Sequence, residues 1–402
     1  METDLYTKKK KHWLNRNILG MGLADFFSDT NHEMVSAILP IFLSTTLGAP
    51  AFALGLVEGI ADGVSTLFEV WSGWYSDKIG KRKGLAAVGY AIITISMGTF
   101  AFATSWVQVI FGRTLGWIGW SVRSPVRDAL LLESTEPETV GRAFAFHGVM
   151  DTLGAIAGPL IATLLLSHVP IRDIFLIAAI PGACAFFSVL FFVKEKFKLP
   201  NTNGAWTSIR HLSPDYFKFL IPVGIFGISN FAPTFFVLRS QELLAPHYGL
   251  VLASTMAVGL YTFGNVIYAL VDYPVGVLLD GHSKKAVLTV GYAIFGLLCF
   301  GFAHALDGLA FLAILFAFNG VYTAIIESAE PSFASTFMRD GEHGAAYGML
   351  SATQGTGDFL SSIIIGTVWT FVSPVVGFAL AGVVAIIAAI LLYGLVPARR
   401  TR

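Results

Sequence analysis

Charge is scarce in this 402-residue chain. Asp, Glu, Lys and Arg make up 13% of it, about half the ~25% of an ordinary soluble domain. Net charge is missing as well. The 26 basic side chains balance 26 acidic ones, which argues against a nucleic-acid partner or a polybasic surface. Cysteine is nearly absent: Cys184 and Cys299 both lie in apolar runs, which excludes a disulfide framework or a cysteine-based zinc site. The chain carries no phosphate-binding P-loop, no H-E-x-x-H pair and no G-x-S-x-G elbow. An enzyme is therefore not expected, nor is any cofactor.

What fills the sequence is apolar. Residues of the set AVILMFWYC account for 55%, more than the core of a soluble protein this size can hide. The chain therefore reads as an integral membrane protein, with the lipid bilayer as its first partner. A helix needs about 20 apolar residues to cross ~30 Å of hydrocarbon. Twelve segments qualify, near 17–46, 51–76, 85–104, 107–131, 143–167, 173–193, 217–242, 250–279, 287–305, 308–331, 344–371 and 376–396. None shows the short alternating runs of a β-barrel. The fold class is all-α: a six-helix bundle over 1–193, a polar linker over 194–214 and a second six-helix bundle over 215–402.

Of the 26 Lys and Arg, 21 fall in alternate connections and at the two ends, whereas the six intervening loops hold one, Arg172. The positive-inside rule then puts both termini in the cytoplasm. The Lys8–Lys11 run is read as a topology anchor, and the first span as too long and too charged for a cleavable signal. Short loops suggest a bacterial inner (plasma) membrane, and a monomer is expected.

The halves repeat at an offset near 203 residues. Gly73, Asp77, Lys81 and Arg82 correspond to Gly276, Asp280, Lys284 and Lys285, and Val88-Gly-Tyr-Ala-Ile92 recurs as Val290-Gly-Tyr-Ala-Ile294. Matching loops share a membrane side, so the duplication is parallel and places a cavity between the bundles near the midplane.

The segment Gly73-Trp-Tyr-Ser-Asp77-Lys-Ile-Gly80-Lys-Arg82-Lys resembles the signature loop of the major facilitator superfamily, with a weaker second copy at Gly276–Lys285. Arg113 with Gly116 and Gly119 is similar to that family's span-4 arginine motif, and Gly154-Ala-Ile-Ala-Gly158-Pro159 to the glycine–proline motif of its antiporters. The stretch from Arg127 to Pro159 also resembles a bacterial branch that includes nickel-resistance permeases. The resemblance implies a twelve-span secondary transporter working by alternating access. Physically, Asp77 can accept from a helix N-terminus, with span 11 the candidate partner, and Lys81 and Arg82 can pair with Asp128. Gly73, Asp77, Gly80, Lys81, Arg82, Asp128, Asp280, Lys284 and Lys285 form the expected cytoplasmic gate. Gly20-Met-Gly22 and Gly355-Thr-Gly357 lie within spans and read as close-packing sites rather than nucleotide loops.

Ionisable residues inside a membrane are functional candidates by default. Asp25, Asp29 and Glu33 line one face of span 1 over about 12 Å, with His32 beside them; Glu58, Asp62 and Glu69 share a face of span 2. Arg113, Arg123 and Arg127 lie on span 4, His147 and Asp151 on span 5. At the repeat offset Asp62 becomes Asn265, Asp151 becomes Gln354, Glu69 becomes Asp272 and Arg127 becomes Glu330, and the second half adds Glu327 and Asp358. The excess of acids favours a cationic passenger exchanged for protons, an organic cation or a divalent metal. Asp29, Glu33, Asp62 and Asp151 are the proton-coupling candidates. His32 and His147 are possible metal contacts, although no metal site is assigned. The competing reading is proton-linked uptake of an organic anion clamped by Arg113 and Arg123.

Overall fold

The structure, a computed structural model, describes residues 14–79, 82–136, 139–195, 212–304, 308–338 and 343–397; at positions 70, 73, 74, 77, 79 and 343–345 only the backbone is described. Thirteen α-helices account for the described fold. In the first half they are α1 (Arg16–Ile41), α2 (Ala51–Ile79), α3 (Lys83–Thr99), α4 (Trp106–Glu133), α5 (Val140–Leu166) and α6 (Ile171–Phe192). In the second they are α7 (Pro214–Gly227), α8 (Thr234–Tyr248), α9 (Leu250–Gly281), α10 (Lys284–Ala303), α11 (Leu309–Ala334), α12 (His343–Phe371) and α13 (Pro374–Leu395).

Twelve spans result, because α7 and α8 are two pieces of one. The sequence suggests an unbroken seventh span over 217–242; the structure interrupts it at 228–233. Pro233 has no N–H to give and disfavours helical backbone at the residue before it. The backbone groups freed there are taken by neighbouring α12: Ser361 Oγ donates to the Asn230 carbonyl at 2.8 Å, and Ala232 N donates to Ser362 Oγ at 3.2 Å. In hydrocarbon an irregular segment survives only when protein satisfies it in this way. Between α8 and α9 the chain turns at Gly249, whose φ of 76° favours glycine.

Among the described residues, eight helices are long and apolar enough to cross a membrane on composition alone. The exceptions are α1, α4, α12 and the α7–α8 pair, and these carry Asp25 to Glu33, Arg113 to Arg127, Asp358 and the break at Asn230.

Helices α1–α6 pack on one another and α7–α13 on one another, with α2 against α12 and α5 against α9 as the seams between halves. Glycine sets the close approaches. A Cβ on Gly158 would sit 2.6 Å from both Met34 N and Thr30 O, so α5 lies directly on the α1 backbone. Gly357 of α12 meets Gly227 of α7 in the same way, the close packing expected of the Gly355-Thr-Gly357 segment. Hydrogen bonds joining the halves between described residues lie at mid-depth or toward the side opposite the termini. They are Asn265 Nδ2 to the Ala155 carbonyl (2.9 Å), Tyr261 Oη to Glu33 (2.9 Å), Thr163 with Thr262 (3.5 Å), Ser44 Oγ to Gln241 (3.2 Å) and Phe52 N to Thr370 (2.8 Å).

Candidate functional site

A cavity of about 510 Å³ lies between the two halves. Ten of the residues expected from sequence line it: Asp29, His32, Glu33, Glu58, Asp62, Arg113, Asp151, Asn265, Glu327 and Asp358. Seven of these are carboxylic acids. Arg113 is the one guanidinium in the wall among the described residues. It donates from Nε to Glu58 at 2.9 Å and from Nη1 to Ser36 at 2.8 Å, lying 5.4 Å from the Trp117 ring centre.

Behind this wall sits a second cluster, closed off from the cavity. Arg123 is fully buried and spans two acids of α1, with Nη1 2.6 Å from Asp25 and Nη2 2.9 Å from Asp29. Its guanidinium lies 4.0 Å from the ring centre of Trp120. Tyr90 donates to Asp25 at 2.6 Å, Arg127 reaches the same carboxylate at 3.1 Å, and His147 Nδ1 comes within 2.8 Å of its other oxygen, outside good hydrogen-bonding angle. Burying four charges is costly unless each is paired, and here the α1 acids and α4 arginines answer one another. Asp29 belongs to both regions, because it also lines the cavity beside α5, where a Cβ on Gly154 would fall 2.9 Å from its own Cβ.

Among the described residues the second half contributes no such arginines. Its acids meet hydroxyls and amides: Tyr268 donates to Glu327 at 2.6 Å, Asn230 Nδ2 to Asp358 at 3.1 Å, and Tyr322 to Asn230. Gln354 lies beside Glu330, outside the cavity lining.

Several expectations change. Arg123 lies outside the cavity lining, with two of its guanidinium nitrogens already held by Asp25 and Asp29, so it is not available as half of a carboxylate clamp. Asp25 and His147 likewise lie behind the wall. His32 is packed between Trp117 and Trp120, its ring centre 5.0 Å from each. Arg82 pairs with Glu133 instead of Asp128, and Asp128 pairs with Arg127 at 2.9 Å. Lys284 and Lys285 reach the carbonyls of Ser332 (3.3 Å) and Val396 (2.6 Å), stapling helix ends within the second half, while Asp280 is exposed. Gly80 and Lys81 lie outside the described residues, as do the side-chain positions of Gly73 and Asp77.

Asn230, Tyr261, Tyr268, Tyr322, Trp117 and Trp120 also line the cavity and do not emerge from a search for charges. A signal for two of them exists in the repeat. Glu58, Asp62, Ser65 and Glu69 on one face of α2 map, at the 203 offset, onto Tyr261, Asn265, Tyr268 and Asp272 on one face of α9.

Tyr261 ties α9 to Glu33 across the halves. Tyr261→Phe is expected to weaken that tie by about 1 kcal/mol and to shift the balance between the two access states roughly fivefold. Distances between spin labels on the terminal ends of α5 and α11, in a background lacking Cys184 and Cys299, read that shift.

The sequence profile of the Major Facilitator Superfamily matches residues 21–267 and 226–402. The chain belongs to the major facilitator superfamily. An uncharacterised MFS-type transporter of Methanocaldococcus jannaschii is 31% identical over 386 residues, covering 94% of each chain. Multidrug resistance protein MdtG of Escherichia coli is 27% identical over 190 residues, 46% of this chain and 45% of that one. Among solved structures, the nucleoside transporter NupG superimposes with a TM-score of 0.78 at 14% identity, covering 94% of this chain and 98% of its own. A D-xylose–proton symporter does so with a TM-score of 0.76, also at 14% identity, covering 96% and 99%. These last two establish the shared twelve-helix fold. The two bundles, the seam helices and the cavity between them are those of a secondary transporter in this superfamily, and its passenger is a small molecule.

Proposed function

We propose that this major facilitator protein is a proton-coupled antiporter that exports a small organic cation. The observation that carries the reading is the cavity wall: among the described residues, seven carboxyls line it with Arg113 as the only guanidinium. A cation entering such a site is attracted, and an organic anion meets uncompensated negative charge. The rings of Tyr261, Tyr268 and Tyr322 stand among the acids, suiting an organic ammonium through cation–π contact. A divalent metal is served less well, because among the described residues no three His, Cys, Asp or Glu side chains converge on one point. The volume of about 510 Å³ is within the usual range for small-molecule sites, ~300–1,000 Å³.

Coupling follows from competition. Asp62, Asp151, Glu327 and Asp358 have no ion-pair partner among the described residues, so they hold either protons or the passenger. Loading protons from one side and exchanging them for a cation from the other produces antiport without an ATP site. The local similarity to a multidrug resistance protein supports the export direction. The excess of Lys and Arg on the terminal side supports a cytoplasmic location for both termini.

Asp62→Asn and Asp151→Asn are each expected to abolish uphill transport and flatten its pH dependence. Proteoliposome uptake measured across external pH values checks this. Wild-type pH dependence in both variants overturns the assignment of coupling to these acids.

A further inference from the structure

The free acids of the cavity fall into two groups at the two seams between halves. At the α2–α12 seam, Glu58 and Asp62 of α2, one turn apart, and Asp358 of α12 line the cavity together. At the α5–α9 seam, Asp151 of α5 and Glu327 of α11, which packs on α9, line the same cavity. Each group takes an acid from each half of the protein. The two groups lie on different helix pairs, Asp62 and Asp358 near the middles of α2 and α12, Asp151 near the middle of α5 and Glu327 toward the terminal end of α11.

An acid cluster alone does not define a ligand, but each group here is accompanied by a buried oxygen with nothing bound to it. Glu58 is 1% exposed and uses Oε2 for Arg113, leaving Oε1 without a hydrogen-bond partner beside Asp62. Asp29 is 2% exposed and uses Oδ1 for Arg123, leaving Oδ2 without a donor beside Asp151. Both residues line the cavity. An unsatisfied buried acceptor costs about 1–3 kcal/mol, and an ammonium group, with three donors and a positive charge, relieves it.

We propose that the cavity is built for a linear dication, with one ammonium group at Asp62 and Asp358 and the other at Asp151 and Glu327. The proposal rests on the cation-export reading and narrows its substrate class to molecules with two separated positive charges. A monoamine fills one pole and leaves the other with unpaired acids. A diamine of matching length fills both and draws the two halves together at both seams, since each pole includes residues of each half.

The test uses the full-length protein, with terminal diaminoalkanes of increasing chain length beside 1-aminoalkanes of matched length. Binding is measured by titration calorimetry in detergent, and exchange by proton release from acid-loaded proteoliposomes. The expected result is one optimal length at which the diamine binds at least about tenfold more tightly than its monoamine, the factor that 1.4 kcal/mol represents. Asp62→Asn and Glu327→Gln each bring that preference toward parity, and Asp62→Glu keeps it while shifting the optimum to a shorter diamine. Equal affinities, or no length optimum, overturn the dication proposal while proton exchange with monoamines leaves cation export standing. Proton movement with neither amine series defeats the cation-export reading itself.

Discussion

Arg123→Leu is expected to cost about 3–5 kcal/mol of stability, the usual consequence of removing one partner from a buried ion pair, and to abolish transport. Arg123 is fully buried between Asp25 and Asp29 of α1, with its guanidinium against Trp120. Without it, Asp25 still has Arg127 at 3.1 Å, but Asp29 loses the only cation paired with it among the described residues. Thermal unfolding in detergent gives the stability change. The double variant Arg123→Leu with Asp29→Asn separates structure from function. Neutralising the stranded acid is expected to restore most of the unfolding temperature and none of the transport, because Asp29 is also part of the cavity wall. An Arg123→Leu protein with the parental unfolding temperature contradicts the pairing.

Gly158→Val produces the second large effect. The new side chain has no room, because even its Cβ falls 2.6 Å from main-chain atoms of Thr30 and Met34. Backbone cannot rotate away as a side-chain tip can, so α1 and α5 are forced apart. Overpacking of this kind costs about 1–3 kcal/mol. The larger consequence is for the site: Asp29 and Glu33 on α1 separate from Asp151 on α5, one helical turn or two from the wedge. Transport is expected to fall at least about tenfold. Gly148→Ala, on the same helix but with open space around its Cβ position, is the matched control and is expected to transport normally. Comparable losses in both variants point to a general intolerance of α5 to substitution and away from the α1 contact.

These two sites also show what could be read from the sequence. Most of the spans followed from apolar runs, because the bilayer imposes a length that few other environments require, although eight helices among the described residues qualify on composition alone. The acids of α1 and α2 were legible through helical spacing, and Gly154 and Gly158 through their motif. Pairing was less legible. Which arginine faces the cavity and which is sealed behind it depends on the rotation of α4 about its own axis, and hydropathy does not encode that rotation for a helix polar on two faces. Arg113 and Arg123, ten residues apart, therefore looked equivalent but are not. The break at 228–233 was signalled only by Pro233 and Asn230 inside an apolar stretch. The tyrosines that hold the second half's acids were hidden because tyrosine counts as apolar in a charge search, although the repeat aligns Tyr261 with Glu58. On the terminal side, Arg82 chose Glu133 over Asp128, a decision between two acids on the same helix that sequence spacing leaves open.

The central claim is that an acid-lined cavity exchanges protons for cations. Its most direct test is the internal pH of proteoliposomes holding the wild-type protein, loaded acidic and exposed in turn to organic ammonium ions and organic carboxylates of similar size. The account predicts saturable proton release on adding ammonium ions, none on adding carboxylates, and no release by either in Asp62→Asn. Proton movement driven by carboxylates and not by ammonium ions contradicts it.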